Sequence, residues 1–372
     1  MISIAFTGGG TGGHIYPGLA VAEELKKLLG SGFKIFWIGS SAGMDRLIVE
    51  EAKIDFFGVP SGKLRRYFSL KNIIDLFKVI GGFIAACRIL KKQKACLLFS
   101  KGGFVSVPPC AAAAALGIKV FTHESDYSPG LATKINTRFV SRTKGGIFTA
   151  YEDTAAFFPE KIRNERITIC GNPVRSVFRN ADPQKGRDFL KLDKDARILL
   201  VLGGSQGAHE VNELVRASLC GLIKTYTVVH QTGPALKWDI EETDRYKPFP
   251  YIKEEMPHVM AAAELVMGRS GAGVWEWAVL GKPMLLIPLR GSGTRGDQVE
   301  NARFFQKAGA AQVLAEGEGA QELLQAVNII AHNDIEREKM TAASLKIGQS
   351  DGAKIIAQVL AENIMNNFGE NK

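Results

Sequence analysis

The stretch "ISIAFTGGGTGGHIYPGLAVAEELKKLL", residues 2–29, decides the fold class of this chain. Its opening run, "ISIAF", is apolar with β-branched side chains, which is typical of a buried strand. Its last part places apolar residues at helical spacing: Leu19, Val21, Ala22, Leu25, Leu28 and Leu29. A glycine loop, "TGGGTGGH", joins the two parts, and the order strand, loop, helix is the building unit of an α/β fold.

The glycine loop has the spacing of a phosphate-binding turn. Gly8, Gly10 and Gly13 fit the dinucleotide fingerprint G-x-G-x-x-G. N–H groups at a helix start attract anions, so the loop predicts an anion site, the alternative being a tight turn without a ligand. NAD binding also needs an acid about twenty positions on, after the second strand. The second strand is followed by Ser40 and the nearest acid is Asp45, which argues against an NAD-dependent oxidoreductase.

Composition limits the class of protein. A chain of 372 residues, 46% hydrophobic and 23% charged, predicts a globular α/β protein of two domains. We expect no signal peptide, and no apolar run reaches the ~18 residues that span a bilayer. The five cysteines form no C-x-x-C pair, which predicts reduced core residues in a cytoplasmic protein. The net charge of +9 favours an anionic partner: nucleic acid, anionic lipid or a phosphorylated substrate.

The strand and helix pattern occurs twice along the chain. Strand candidates in the first half are "ISIAF", "KIFWIG", "ACLLFS", "IKVFTH", "GGIFT" and "ITICG". A polar stretch at about 171–196 predicts a linker, after which "RILLVLGGSQGAHEVNELV" repeats the order strand, glycine loop, helix. We therefore predict two Rossmann-like domains facing a central cleft. The N-terminal domain covers residues 1–172, completed by a C-terminal helix at 353–372, and the C-terminal domain covers 173–352.

Four loops carry a resemblance to a known family. The motifs "GGGTGGHIYPGLAVA", "GNPVR", "GGSQGA" and "RSGAGVWEWAVLGKPMLLIPL", the last followed by "DQVENA", resemble the MurG glycosyltransferases in order and spacing. "KGGFVSVP" and "HESDYSPGLATK" are similar to the pieces between them, so the resemblance covers nearly the whole chain. It implies the GT-B fold. It also implies an inverting transferase that moves N-acetylglucosamine from UDP-GlcNAc to undecaprenyl-pyrophosphoryl-MurNAc-pentapeptide (lipid I), forming lipid II in peptidoglycan synthesis.

The resemblance assigns the donor diphosphate and ribose to residues of three motifs. Ser205, Gln206 and Gly207 would hold the diphosphate, and Arg175 would supply a guanidinium to it. Glu276 would accept hydrogen bonds from both ribose hydroxyls. Without the resemblance, Ser205 would be interpreted as a helix cap, Arg175 as a solvated arginine and Glu276 as an exposed helix residue.

The base and the sugar of the donor are assigned to two further segments. Ile252 would lie beside the uracil. Asp297, Gln298 and Asn301 would face the hydroxyls and the amide of the sugar. The proposed transfer requires no cofactor besides the UDP-GlcNAc donor. It also requires no protein-bound metal, because no D-x-D motif follows a strand to hold one on the diphosphate.

On the acceptor side, the resemblance assigns Thr11, Gly12, Gly13 and Asp126 to lipid I, with Thr11 and Gly13 also near the donor. His14 is the candidate base, because a neutral imidazole can take the proton of the attacking hydroxyl near neutral pH. The alternative is a structural histidine bonded to the loop. The positively charged end of the helix suits the pyrophosphate of lipid I.

Three departures from the family pattern concern substrate choice. Ser125 and Asp126 stand where the pattern has Gln-Asn, which adds a carboxylate on the acceptor side. Asp297 precedes Gln298 where many relatives have Gln-Gln. The spacing from Arg269 to Glu276 is one residue short, and one residue is about 100° of helix.

Residues 63–94 predict a membrane-binding surface, with a buried core helix as the alternative. Its apolar residues recur at helical spacing: Ile73, Leu76, Phe77, Ile80, Phe83 and Ile84. Basic residues surround them, against the single acid Asp75: Lys63, Arg65, Arg66, Lys71, Lys78, Arg88, Lys91, Lys92 and Lys94. We expect a peripheral protein on the cytoplasmic face of the bacterial cell membrane, attached to its anionic surface. We expect no nucleic-acid partner, and cell-wall synthesis proteins as further partners.

Two other activities stay open at this point. A UDP-GlcNAc 2-epimerase shares the fold and the donor but needs no lipid acceptor. A lipid glycosyltransferase with another acceptor, such as diacylglycerol, differs mainly on the acceptor side. The catalytic base, the pentapeptide composition and the oligomeric state are not determined by the sequence.

Overall fold

A computed structural model describes residues 2–41, 45–62, 70–204, 206–234, 236, 238–291 and 294–369, with side chains left out at 70–74 and 367–369. Ser205 therefore lies outside the described residues, as do the predicted basic residues Lys63, Arg65 and Arg66. The side chains of Lys71 and Ile73 also lie outside them.

Strands and helices alternate along most of the described chain. In chain order the strands are β1 (Ile2–Thr7), β2 (Phe33–Ser40), β3 (Asp55–Val59), β4 (Ala95–Ser100), β5 (Lys119–Glu124), β6 (Ile147–Thr149), β7 (Ile167–Ile169), β8 (Ile198–Leu202), β9 (Thr227–Gln231), β10 (Tyr246–Phe249), β11 (Leu265–Gly268), β12 (Met284–Leu286) and β13 (Ala311–Val313). The α-helices are α1 (Gly12–Leu29), α2 (Asp45–Glu51), α3 (Leu70–Lys92), α4 (Val107–Ala115), α5 (Leu131–Thr143), α6 (Glu160–Arg166), α7 (Ser176–Arg179), α8 (Pro183–Leu190), α9 (His209–Thr225), α10 (Met256–Ala262), α11 (Val274–Val279), α12 (Asp297–Lys307), α13 (Ala320–His332), α14 (Asp334–Gly348) and α15 (Gly352–Gly369).

The chain folds into two compact units. The first unit comprises Met1–Arg175 and Asp351–Lys372, and the second comprises Ser176–Ser350. Each contains one parallel sheet, with strand order β3-β2-β1-β4-β5-β6-β7 in the first and β10-β9-β8-β11-β12-β13 in the second. In both, the order reverses beside the unit's first strand, and ligands of such sheets bind beyond the carboxyl ends of the strands at that point.

The first sheet is buried on both faces, as helix crossovers between parallel strands require. Along β1, Ile4 and Phe6 pack into one core and Ala5 into the other. The second core also contains residues of α3, α4 and α5. Alternate residues of one strand thus anchor opposite helical layers, which holds the end of β1 in place.

Helix α15 packs on the first unit although it follows the second in sequence. Its buried residues Ile356, Leu360 and Ile364 share a core with Val21 and Leu25 of α1. A side chain at Gly352 would place its Cβ 2.9 Å from the Cys170 carbonyl oxygen, so the helix begins in close backbone contact with the segment after β7.

The polar stretch at 171–196 contains two helices rather than an extended connection. Asp182 caps α8 by accepting a hydrogen bond from the Gln184 N–H at 2.8 Å, and Pro183 occupies the first turn. Gly186 lies so close to the His258 backbone that a side chain there would collide with it. A good cap and a close contact with α10 therefore hold α8 in the second unit.

The cysteines only partly follow the core expectation. Cys110 and Cys170 are buried, Cys87 and Cys96 are half-buried, and Cys220 is exposed. The prediction of a core position is wrong for Cys220, which lies on the outer face of the amphipathic helix α9.

Candidate functional site

The first glycine loop is a tight turn held by the sheet. Gly8 and Gly10 have φ of 149° and 88°, a region that side chains rarely adopt. The Trp37 indole N–H donates to the Gly8 carbonyl oxygen at 2.9 Å. Thr11 is the N-cap of α1 and is exposed together with Gly13, whereas Gly12 is buried.

An internal carboxylate occupies part of this loop. Asp45 is 1% exposed, and its two oxygens lie 3.1 and 3.3 Å from the Gly10 backbone nitrogen. The same carboxylate accepts from the Ser40 N–H at 3.3 Å. A side chain at Gly9 would collide with it. Asp45, the nearest acid after β2, thus stabilises the loop from within. An anion could therefore bind only at the outer turn around Gly12 and Gly13.

His14, the candidate base, lies against a second pair of glycines. A Cβ on Gly103 would lie 3.0 Å from the His14 Cδ2 atom and 2.8 Å from the Gly9 carbonyl oxygen. Gly102 and Gly103 have φ of 91° and 76°. The "KGGFVSVP" motif therefore allows the loop after β4 to approach the half-buried imidazole.

The loop after β5 carries Asp126, which is half-buried. The Glu124 carboxylate accepts hydrogen bonds from the Asp126 N–H at 3.0 Å and the Gly130 N–H at 2.9 Å. The Thr154 hydroxyl donates to the Tyr127 carbonyl oxygen at 2.8 Å. Parallel strands bring their carboxyl ends to one edge, so Asp126 shares an edge with the glycine loop, two strands or about 10 Å away.

Two ionisable groups are buried beneath this edge. Lys101 is 1% exposed, and burial lowers its pKa to about 8. His123 is also 1% exposed, and burial together with the charge of Lys101 keeps its pKa well below the ordinary value. The His123 Nε2 atom lies 3.0 Å from the Gly171 carbonyl oxygen. Sequence reasoning missed Lys101, although a lysine directly after an apolar strand was a visible signal.

Arg175 lies in the first unit. Its guanidinium carbon lies 4.5 Å from the centre of the Tyr16 ring, a cation–π contact. Both residues line a cavity of about 530 Å³ along α1 and α2, together with residues that include Lys26 and Lys27. The predicted contact of Arg175 with the donor diphosphate stays a prediction.

The second glycine loop, residues 203–207, is shaped by backbone contact. Gly204 and Gly207 have φ of 94° and 78°. A side chain at Gly207 would collide with the Thr232 carbonyl oxygen, and one at Gly233 would place its Cβ 2.5 Å from the Gln206 carbonyl oxygen. Only glycines at 207 and 233 permit this loop to lie so close to the turn after β9.

Gln231 connects this loop to the segment of Ile252. Its side-chain oxygen accepts from the Ile252 N–H at 2.9 Å, and its amide nitrogen donates to the Gly204 carbonyl oxygen at 3.4 Å. The side chain of Ile252 is 3% exposed, so it packs into the protein. Sequence reasoning missed Gln231, which is the last residue of β9.

A buried histidine supports the same turn. The His230 Nδ1 atom lies 3.0 Å from the Tyr246 hydroxyl, and the Nε2 atom lies 3.0 Å from the Asn212 side-chain oxygen. Asn212 donates in turn to the Thr232 carbonyl oxygen at 2.9 Å. Burial lowers the pKa of His230 to about 4, so it is a neutral structural residue at physiological pH.

The remaining donor candidates lie at the starts of α11 and α12. Glu276 is half-buried in the first turn of α11, and Asp297 opens α12 with an ion pair to Arg295 at 3.1 Å. Gln298 accepts a hydrogen bond from the Leu289 N–H at 3.0 Å through its side-chain oxygen. These residues share the carboxyl edge of the second sheet with the glycine loop.

Asn301, also assigned to the sugar from the sequence, holds a neighbouring loop. It is fully buried, and its amide donates to the Ser270 carbonyl oxygen at 3.0 Å. The Ser270 hydroxyl donates to the Gln298 carbonyl oxygen at 2.7 Å. Asn301 therefore fixes the loop before α11, and its predicted contact with the sugar stays a prediction.

Helix α3 presents an apolar strip to the outside. Leu76, Phe77, Ile80 and Ile84 are 53%, 69%, 48% and 44% exposed, which argues against the alternative that they form core. The described basic residues of this region are exposed: Lys78, Arg88, Lys91, Lys92 and Lys94.

The described part of the chain contains neither a candidate metal site nor a candidate membrane-spanning helix. No group of three or more His, Cys, Asp or Glu side chains there is arranged to hold a metal ion. Among the described helices, none combines the length and apolar character needed to cross a bilayer.

Comparison with known families and structures identifies relatives of both units. Residues 4–144 match the glycosyltransferase family 28 N-terminal domain, and residues 198–359 match the glycosyltransferase family 28 C-terminal domain. A UDP-N-acetylglucosamine--N-acetylmuramyl-(pentapeptide) pyrophosphoryl-undecaprenol N-acetylglucosamine transferase from Treponema denticola is 49% identical, covering 84% of each chain. The protein of the same name from Treponema pallidum is 42% identical, covering 96% of this chain and 94% of its own.

Solved structures agree on the fold. The crystal structure of Acinetobacter baumannii MurG superposes with a TM-score of 0.70 at 23% identity, covering 97% of this chain and 100% of that one. UDP-GlcNAc 2-epimerase from Neisseria meningitidis gives 0.65 at 16% identity, with 97% and 100% covered. Together with the two parallel sheets, these matches confirm the predicted α/β GT-B fold. With family 28 domains in both halves and 42% identity to a transferase over 96% of this chain, the protein belongs to the MurG family of N-acetylglucosamine transferases.

Proposed function

We propose that the protein transfers N-acetylglucosamine from UDP-GlcNAc to lipid I and so produces lipid II for peptidoglycan synthesis. The observation that carries this proposal is the 42% identity, over 96% of the chain, to a transferase named for that reaction. The edges of the two sheets support it, because each carries a glycine loop beside a helix start, the type of place where phosphate groups bind.

The second unit holds the donor in this proposal. The amides of Gln206 and Gly207, with Ser205, bind the diphosphate, and the Ile252 segment lies beside the uracil. Gln231 links these two regions by its hydrogen bonds to Gly204 and Ile252. The carboxylate of Glu276 accepts from the ribose hydroxyls. Asp297 and Gln298, at the start of α12, contact the sugar.

The first unit holds the acceptor. The outer turn formed by Thr11, Gly12 and Gly13 faces the pyrophosphate of lipid I, with Thr11 and Gly13 also near the donor, and Asp126 contacts the acceptor from the loop after β5. His14 takes the proton from the attacking acceptor hydroxyl while that oxygen forms its bond to the anomeric carbon. The bond from this carbon to UDP breaks on the opposite side, which inverts the configuration.

The departing UDP gains negative charge in the transition state. Backbone N–H groups of the second glycine loop and the guanidinium of Arg175 stabilise it electrostatically. This reaction needs no cofactor besides the donor substrate.

Transfer to a water-soluble lipid I analogue tests the proposal. Purified protein with UDP-GlcNAc and the analogue is expected to yield the disaccharide product with release of UDP. Incubation with UDP-GlcNAc alone tests for epimerisation, and diacylglycerol tests for the other acceptor. Reaction in either of these, with no transfer to the lipid I analogue, would overturn the proposal.

We further propose that α3 attaches the protein to the cytoplasmic face of the bacterial cell membrane. The exposed apolar strip would enter the interface, while Lys78, Arg88, Lys91 and Lys92 face anionic headgroups. This places the acceptor-binding unit where lipid I keeps its tail. Contacts with other cell-wall synthesis proteins stay a prediction.

Removing the apolar strip should release the protein from vesicles. Phe77 and Ile80 are 69% and 48% exposed, so burial in the interface is worth about 1 kcal/mol or more for each. The double variant Phe77→Ser, Ile80→Ser should bind anionic vesicles at least about tenfold more weakly by co-sedimentation. Ile335→Ser is the matched control, because Ile335 is 68% exposed in the second unit. Equal binding by both variants would contradict the role of α3.

A further inference from the structure

Lys101 is a buried cation at the centre of the acceptor side. Its backbone N–H donates to the Thr7 carbonyl oxygen at 2.8 Å, and its ammonium donates to the Ser125 hydroxyl oxygen. The Ser125 hydroxyl donates in turn to the side-chain oxygen of Asn172 at 3.1 Å. The lysine is 1% exposed. Burying an ammonium is costly unless it is paired, so this position calls for a physical reason.

The charges of two carboxylates act on this cation. The charges of Glu124 and Asp126 both favour the protonated amine. The other titratable groups around it are the neutral His123 imidazole and the Cys170 thiol. Both oxygens of Glu124 accept backbone hydrogen bonds from the loop after β5. Without Lys101, the negative charges of Glu124 and Asp126 would lose the buried positive charge that offsets them.

Lys101 also connects the segments that carry the other acceptor-side candidates. It immediately precedes Gly102 and Gly103, which pack on His14. Its partner Ser125 immediately precedes Asp126. A Cβ on Gly8 would lie 3.1 Å from the Lys101 Cβ, so the first glycine loop rests on the same residue.

We propose that Lys101 is a positioning residue for the acceptor. Through Ser125 it fixes the loop of Asp126, and its charge offsets Glu124 and Asp126 so that the acceptor's pyrophosphate approaches without repulsion. This inference rests on the proposed function, because it concerns the site of a phosphorylated acceptor. The carboxylate of Asp126, which departs from the family pattern, is in this view tolerated because Lys101 lies beneath it.

The variant Lys101→Met removes the charge and retains the approximate volume. We expect it to raise the KM for the lipid I analogue by roughly tenfold or more, since a hydrogen bond to a charged group is lost. The affinity for UDP, measured by calorimetry, should not change, because the donor candidates of the second unit keep their surroundings. Lys134→Met is the matched control, because Lys134 is an exposed lysine on α5, which follows the same loop. Adding Asp126→Asn to Lys101→Met should recover part of the loss by restoring the charge balance.

The pH dependence separates this role from a purely structural one. The pKa of Lys101 is about 8, lowered by burial from 10.5. As the pH rises through about 8, the amine loses its charge, and the acceptor KM of the wild type should rise, but that of Lys101→Met should not. Between pH 8 and 10.5 this lysine is protonated in the unfolded chain but neutral in the folded one. Its contribution to the free energy of unfolding of the wild type should therefore increase as the pH rises through this range. A structural role alone would not make acceptor affinity fall while stability rises.

An unchanged acceptor KM in folded Lys101→Met, or an equal effect of Lys134→Met, would overturn the inference. If Lys101→Met does not fold, Ser125→Ala replaces it, because it removes the hydroxyl that the ammonium contacts. An unchanged acceptor KM in that variant would overturn the inference equally. Failure of the wild type to transfer to the lipid I analogue would instead overturn the proposed function.

Discussion

The two glycine loops have similar sequences but different surroundings. Each follows the first strand of its unit and precedes a helix, at residues 8–13 and 203–207. The first encloses the carboxylate of Asp45, which accepts from the Gly10 N–H. The second lies against the backbone of Thr232 and Gly233. One loop contains a negative charge, and the other is shaped by uncharged peptide groups.

This difference shows that a strand, glycine loop and helix specify a turn but not its ligand. A carboxylate inside the first loop repels an anion at its inner part and leaves the outer turn near Thr11 and Gly13. The second loop instead contacts the backbone of Thr232 and Gly233 and the side chain of Gln231, and the helix start that follows it suits a diphosphate. Four predictions test this contrast.

The largest effect is expected at the first loop. His14→Ala should lower kcat by roughly 10²–10⁴, the range for losing a general base. UDP affinity by calorimetry should stay the same, because the diphosphate candidates Gln206 and Gly207 are on the second loop. A folded variant with wild-type kcat would exclude His14 as the base, and a loss that follows only the melting temperature would indicate a structural histidine.

Within the second loop, Gly207 should be more sensitive to an added side chain than Gly204. Gly207→Ala combines a positive φ with a collision against Thr232, and should cost about 2–4 kcal/mol of unfolding free energy together with UDP affinity. Gly204→Ala is the control, since its φ of 94° is also positive but no atom lies within 4 Å of the added Cβ, and about 1 kcal/mol is expected. Equal losses in denaturant titrations would contradict the importance of the backbone contact.

Glu276→Ala tests whether the second unit binds the ribose. Two hydroxyls would lose a charged acceptor, so UDP-GlcNAc and UDP should both bind about 1–3 kcal/mol more weakly by calorimetry. Unchanged affinity for both ligands would mean that the short spacing from Arg269 has moved this carboxylate away from the ribose.

The smallest effect is expected for the internal carboxylate. Asp45→Asn removes the charge but keeps one oxygen that can accept from Gly10, so about 1 kcal/mol of unfolding free energy should be lost. Binding of UDP should not change, because Asp45 contacts the first glycine loop, whereas the diphosphate candidates are on the second. A clear loss of UDP affinity would show that the two loops do not act separately.

The central strands were predictable, and so was the edge strand β7, but two other edge strands were not. β1, β4 and β8 are largely apolar and buried, and short apolar runs of this kind predict buried strands from sequence alone. β3 and β10 lie at the edges of their sheets, and both were missed. β10 contains Pro248, a residue that occurs in edge strands because it cannot donate a ladder hydrogen bond.

The candidate site shows the same limit. The sequence motifs predicted His14, Glu276 and the glycine loops as local features. Lys101, Gln231 and Asp45 were missed, because each acts on residues distant in sequence. Gln231, for example, accepts from Ile252, 21 residues away. Asn301 was assigned to the sugar from its motif, and only the structure shows that its buried amide holds the loop before α11.

The sequence by itself determined the alternation of strands and helices, the two-unit plan, the family and the motifs that carry the chemistry. These features depend on local periodicity and on short segments of fixed order. Only the tertiary structure decided that Asp45 enters the first loop, that Lys101 contacts the residue before Asp126, and that one apolar strip of α3 faces outward while its other apolar residues join the core. The physical reason is that burial and charge pairing depend on parallel strands bringing distant residues to one edge, which spacing along the chain does not encode.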